Sequence, residues 1–236
     1  MRKFLMLLLL AAAFASGQSA ENTYDTPDVE QSVAYSVEYE DEDLRREAFV
    51  PTVVVYTEER DGFCDYINYL GRMKQACLEG DVESGRAAEC ARNAKIETLG
   101  LEAVQVSFDD LFELSKIITA ECGSSWLPFD WKLAVGEVVL NRVASPEFPD
   151  TIYDVVHAQG QYSSANTQYF KDLLPFPDCV DAAANLLMGE RILHDPSVVF
   201  QSSKKQGSGV YLELYDSYYG STYLCHSSYP ELYGGD

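Results

Sequence analysis

From Glu58 to Leu99 apolar residues recur every three to four positions, with Phe63, Ile67, Leu70 and Met73 in line. That spacing predicts an amphipathic helix. Gly80-Asp81 ends it, and a second helix is predicted from about Glu83 to Ile96, making a helical hairpin. Ser107-Phe-Asp-Asp110 is a helix-opening cap, followed by Leu111, Leu114, Ile117 and Ile118 on one face. Trp131 to Val143 is apolar nearly all round, which marks a central, buried helix, and Gly136 within it would allow close helix approach. Ile152 to His157 and Cys179 to Leu193 are two further predicted helices. After His194-Asp195-Pro196 the period changes. Val198 to Phe200, Val210 to Leu214 and Thr222 to Cys225 read as short strands between Gly- and Ser-rich turns. The predicted class is α+β, mostly helical, with a small antiparallel sheet near the C-terminus.

The N-terminal part follows another pattern. Arg2 and Lys3 precede an apolar run of twelve residues, Phe4 to Ala15, too short to span about 30 Å of hydrocarbon as a helix. Small residues follow up to Ala20, so residues 1–20 are read as a secretory signal peptide. Residues 21–50 carry ten acidic groups against two basic. With little periodicity there, residues 21–57 are expected to be a solvated, flexible leader. The hairpin is assigned to residues 58–105 and the chemistry-bearing domain to 106–236. The expected location is outside the cell or at its wall.

Composition narrows the partners. The whole chain holds 17 Lys+Arg and 38 Asp+Glu, a net charge of −21, with 47% apolar residues. The apolar share supplies a core. The charge argues against nucleic acid, whose binding rests on neutralising phosphates, and against a polybasic membrane contact. It leaves a polysaccharide, bound by shape and hydrogen bonds. Six cysteines behind an export signal predict at least one disulfide. None has the C-x2-C spacing of a zinc site, and the three histidines form no helical pair. Neither a metal nor a cofactor is expected.

Glu121 is the most informative residue. It lies seven after Leu114, four after Ile117 and three after Ile118, at the C-terminal end of an apolar helix face. Partial desolvation and the negative end of the helix dipole both disfavour its charged form. A carboxylic acid kept protonated near neutral pH is what cleavage of a glycosidic bond needs. The same spacing also fits a helix-end Glu turned to solvent or paired with Arg. Asn141, three after Val138, either holds the Ser145-Pro146 turn or lines a cleft. Gly160-Gln161-Tyr162-Ser163 could offer a sugar a backbone approach, an amide and a ring.

Taken in order, Ile118-Thr-Ala-Glu121, Leu133-Ala-Val-Gly136, Val138-Val-Leu-Asn-Arg-Val143, Ser145-Pro, Phe148-Pro, Thr151-Ile and Gly160-Gln-Tyr-Ser163 resemble the SleB/CwlJ-type cell wall hydrolases. The resemblance covers about residues 106–228. It implies a lysozyme-like catalytic domain acting on peptidoglycan glycan strands, as a lytic transglycosylase in the best-understood members. It places the catalytic acid on Glu121, the family's N-R-V signature on Asn141 to Val143, and its G-Q-F-S loop on Gly160 to Ser163, with Tyr162 for Phe. Asn141, Gln161, Tyr162 and Ser163 become the expected sugar contacts. Where many members read A-E-A-R-G-E, this chain has Ala120-Glu-Cys-Gly-Ser-Ser125, so the second Glu of that motif has no counterpart.

The chemistry so implied needs one carboxyl. Glu121 protonates the oxygen between N-acetylmuramic acid and N-acetylglucosamine, then takes the proton of the muramic 6-hydroxyl as a 1,6-anhydro ring closes. A hydrolase would need a second carboxylate ~5–9 Å away. Asp130, Glu137 and Asp172 are conceivable, but none sits in a motif. Two other classes stay open: a thiol peptidase using Cys122 with His157 or His226, and an inactive wall-binding protein. No G-x-S-x-G is present for a serine hydrolase.

Overall fold

A computed structural model describes the backbone of residues 57–233 and the side chains of residues 68–233. The signal segment and the acidic leader up to Tyr56 lie outside the described residues. The described chain is α+β, with seven α-helices followed by a three-stranded antiparallel sheet and a short 3-10 turn.

The first two helices are α1 (Thr57–Glu79) and α2 (Val82–Leu99). Gly80 turns the chain with φ 69°, a conformation that only glycine adopts without strain. Asp81 then caps α2 by accepting from the Ser84 amide at 3.0 Å. The hairpin is not an appendage. Met73, Ala76, Cys77 and Ala88 are buried in the same core as Phe108, Leu111, Leu114 and Ile118 of α3 (Phe108–Cys122). The Phe108 ring lies so close to Gly85 that a Cβ there would stand 2.1 Å from it. Ser107 caps α3, and Glu89 of α2 accepts from the Phe108 amide at 2.8 Å.

α4 (Phe129–Val143) is the central helix, buried from Lys132 to Val139. Gly136 meets α3 and α7 (Pro177–Leu187): an added Cβ would lie 2.5 Å from Leu186 and 2.7 Å from Ile118. Filling that contact would cost about 1–3 kcal/mol. Three charged residues of α4, Lys132, Glu137 and Arg142, are buried and act as ties. Glu137, 2% exposed, accepts from the Ile192 and Leu193 amides at 2.7 and 3.0 Å. Arg142 donates to the Val199 carbonyl at 2.6 Å.

α5 (Ile152–His157) has the expected bounds. α6 (Gln168–Asp172), capped by Thr167, was not legible as a helix. α7 stops at Leu187, six residues earlier than its apolar pattern suggests, because Gly189 turns with φ 104° and the Leu193 amide is taken by Glu137. The strands are β1 (Val198–Ser202), β2 (Val210–Asp216) and β3 (Gly220–His226), in the order β1-β3-β2. Val198, Leu214 and Leu224 pack with Ala134 and Val138, which seats the sheet on α4.

The expected disulfide does not form among the cysteines whose side chains are described. Cys77, Cys122, Cys179 and Cys225 are buried free thiols and Cys90 is an exposed one. Cys77, Cys179 and Cys122 are packed in apolar clusters.

Candidate active site

Glu121 stands on the last turn of α3, one residue before Cys122. The residue as a whole is exposed, although helical spacing alone sets it with the apolar positions. Its side chain lines a cleft with Cys122, Leu127, Trp131, Val135, Gln201, Leu214, Asp216, Tyr219 and Thr222. The walls are the end of α3, the first turns of α4 and the β2–β3 hairpin. Crowding by these walls desolvates the carboxyl and raises its pKa above the ordinary Glu value. A hydrogen bond from Ser164 and the Arg142 charge oppose that rise without cancelling it.

Ser164 Oγ donates to Glu121 Oε1 at 3.3 Å. It belongs to the loop after α5, whose turns are closed by Gln161 N to Ala158 O at 3.2 Å and Ala165 N to Tyr162 O at 3.1 Å. His157 and Asn166 clamp the base of this loop. The Asn166 amide donates to the His157 carbonyl at 3.2 Å, and its Oδ1 lies 3.2 Å from His157 Nδ1. His157 Nε2 in turn meets Glu113 at 2.7 Å.

The expected sugar contacts divide. Gln161 and Ser163 are exposed on that loop. Tyr162 is 6% exposed and packs over the Arg142 guanidinium, 4.9 Å from its ring centroid. Its ring is therefore core, not a stacking surface. Its hydroxyl and Arg142 Nη1 are buried without a hydrogen-bond partner among the described residues. Asn141 is buried, and its amide donates to the Asp195 and Val198 carbonyls at 3.2 and 3.1 Å. It joins α4 to the start of β1 instead of facing a sugar or holding the Ser145-Pro146 turn. The serine that reaches Glu121 is the one after the Gly-Gln-Tyr-Ser run, a residue of the same loop that its spacing alone did not single out.

The carboxylates considered as a second catalytic group have other tasks. Glu137 is spent on backbone amides. Asp172 accepts from Gln168 at 2.9 Å, and Asp130 is exposed on the first turn of α4. Asp216, at the end of β2, does line the cleft with Glu121. Its Oδ1 accepts from the Tyr218 and Tyr219 amides at 2.9 and 3.0 Å. Sequence reasoning missed it because it sits at a strand end with no motif.

Other nucleophiles fit poorly. Burial pushes the Cys122 thiol up to about 11, against the pull of the Lys132 charge, so it is protonated at neutral pH. Ser197, His226 and Asp195 have the composition of a hydrolytic triad. Yet Ser197 Oγ lies 2.9 Å from His226 Nδ1, and Asp195 approaches the same nitrogen at 3.6 Å. A relay needs serine and carboxylate on opposite ring nitrogens. A broader groove lies on α1 and α2, lined by Ala76, Ala87, Ala88 and Ala91 with Arg72 and Glu79.

The model of the Cell Wall Hydrolase family matches residues 128–210, about a third of the chain. The match takes in α4, the Gly160–Ser164 loop and β1, and begins seven residues after Glu121. No curated protein and no solved structure matches the chain.

Proposed function

We propose that this protein cleaves peptidoglycan glycan strands between N-acetylmuramic acid and N-acetylglucosamine, as a lytic transglycosylase with Glu121 as acid and then base. The observation that carries this reading is the Glu121 carboxyl, open to a cleft yet desolvated enough that its pKa is raised. The cell wall hydrolase match over the adjoining residues supports the substrate class. It also fits a place of action outside the cell. No helix among the described residues is long and apolar enough to cross a membrane.

The proton on Glu121 goes to the glycosidic oxygen as its bond to the muramic C1 breaks. The carboxylate left behind is held by Ser164 and by the Arg142 charge. It then takes the proton of the muramic 6-hydroxyl, whose oxygen bonds to C1. Glu121 ends protonated again, and no water is consumed.

One observation favours a second reading. Asp216 shares the cleft, and its Oδ1 is held by two amides while the other oxygen has no such bond. It could activate a water, which would make the protein a muramidase-type hydrolase. Mass spectrometry of a digest of purified peptidoglycan separates the two. The transglycosylase yields 1,6-anhydromuramic ends, each one water lighter than the reducing ends of a hydrolase. Release of peptides alone, or of nothing, would refute both.

A further inference from the structure

We propose that Trp126, Tyr218 and Tyr219 form a carbohydrate-stacking platform that holds the glycan strand beside the Glu121 cleft. The platform rests on the reading that this cleft takes a glycan.

These rings are 60%, 79% and 57% exposed. Aromatic side chains of this size bury most of their surface in a typical fold. A contiguous group of them left in water marks a binding surface. They also touch one another. Trp126 and Tyr219 are stacked at 5.9 Å with an interplanar angle of 5°. Tyr218 stands perpendicular to both, at 6.3 Å from Trp126 and 4.9 Å from Tyr219.

The cluster is held from below on both sides. Tyr219 Oη and Ser124 Oγ hydrogen-bond at 2.7 Å, which ties the β2–β3 turn to the α3–α4 loop. Asp216 fixes the turn by accepting from the Tyr218 and Tyr219 amides. Lys132, wholly buried, fixes the loop by donating to the Ser124 and Leu127 carbonyls, each at 3.1 Å. Rings already locked in place lose little freedom when a ligand arrives, so more of the contact energy appears as affinity.

The occupant follows from position. Tyr219 and Asp216 line the Glu121 cleft, so the platform continues the surface on which the scissile bond would lie. The faces of pyranose rings carry C–H groups that pack on aromatic faces, and their hydroxyls reach neighbouring hydrogen-bond groups such as Asp216.

The test measures binding of soluble, peptide-free glycan strands to the full chain carrying Glu121→Gln, by isothermal titration calorimetry. Adding Trp126→Ala or Tyr218→Ala should each weaken binding about tenfold or more, the scale of one lost aromatic contact. Tyr229→Ala, an exposed tyrosine outside the cluster, should leave affinity unchanged. Both replaced rings are exposed, and an unaltered Tm verifies the fold of each variant. Unchanged affinity in both variants would overturn the platform. So would a dimer seen in sedimentation that Trp126→Ala dissolves while glycan affinity stays intact. If the parent chain binds strands but releases no fragments, and Trp126→Ala loses the strands, the cleavage reading fails and the platform stands. If fragments are released and both ring variants bind like the parent, the platform fails and the cleavage reading stands. A chain that neither binds nor cleaves strands refutes both.

Discussion

Ser164 Oγ donates to Glu121 Oε1 at 3.3 Å, joining the loop after α5 to the last turn of α3 across 43 residues of sequence. A donor of this kind stabilises the carboxylate over the acid. Burial pulls the other way and wins, so Glu121 keeps a raised pKa with a brake on it. Ser164→Ala removes the brake. The pKa should rise further, and the basic limb of the activity profile should move to higher pH. Measuring kcat/KM against pH checks this. A profile that stays in place would mean that the bond has no part in setting the acid.

Glu121→Gln keeps the shape of the side chain and removes the transferable proton. Cleavage should fall by ~10²-fold or more. Stability should move the other way. Because folding raises the Glu121 pKa, the folded chain holds that proton more tightly than the unfolded chain does. Its contribution favours folding below the ordinary Glu value of about 4.3 and is lost as pH rises through the raised value. At neutral pH the Gln variant should therefore melt higher than the parent, and near pH 3 the two should coincide. Equal melting at both pH values would show that the carboxyl is not desolvated.

Lys132 is wholly buried, donates to the Ser124 and Leu127 carbonyls, and lies 3.2 Å from the Asp178 carboxylate. Lys132→Met keeps most of the stem and strips away the charge and its donors. Losing hydrogen bonds to a charged group should cost about 2–3 kcal/mol in urea unfolding. The α3–α4 loop would lose its support, so glycan affinity should drop as well. A variant that unfolds like the parent would refute the anchoring role.

The helices were legible where apolar spacing was regular and capped. Ser107, Asp81 and Thr151 each accept from the amide three residues on, and these caps fix the helix starts. Gly136 was legible as a contact because a glycine in an otherwise apolar helix has few other uses. The fate of α7 was not legible, since its end depends on Glu137 holding Leu193, a contact 56 residues apart. The site was half legible. Glu121 stood out through helical spacing and resemblance. Asp216, Trp126 and Tyr219 did not, because a strand end and two turns carry neither period nor motif, and only the fold brings Asp216 and Tyr219 to the cleft and Trp126 against Tyr219. Spacing did not show that Asn141 is buried on the Asp195 and Val198 carbonyls, or Tyr162 against Arg142.

The thiols offer a test of the core. Burial pushes Cys77 and Cys179 up to about 12 and Cys122 up to about 11, so none forms a ready thiolate. In the folded protein these three should resist an aromatic disulfide reagent at pH 8 while exposed Cys90 reacts. All should react once the chain is unfolded without reductant. Fewer than five reactive thiols in denaturant would reveal a disulfide that is not formed among the described cysteines.

Asp216→Asn decides between the two mechanisms. The amide keeps an oxygen able to accept from the Tyr218 and Tyr219 backbone, as Asn does in turns of this kind. The β2–β3 turn should therefore persist, and an unchanged Tm would verify it. What disappears is a base. If Glu121 performs both proton transfers, cleavage should fall by less than about tenfold and the products should keep their 1,6-anhydro ends. If Asp216 activates water, the loss should approach the ~10²-fold typical of a missing general base, and the parent's products should carry reducing ends. Asp130→Asn is the control, an exposed carboxylate on the first turn of α4, and it should change neither rate nor product. A large loss in Asp216→Asn with anhydro ends retained would assign Asp216 to positioning the muramic 6-hydroxyl, and would still leave Glu121 as the acid.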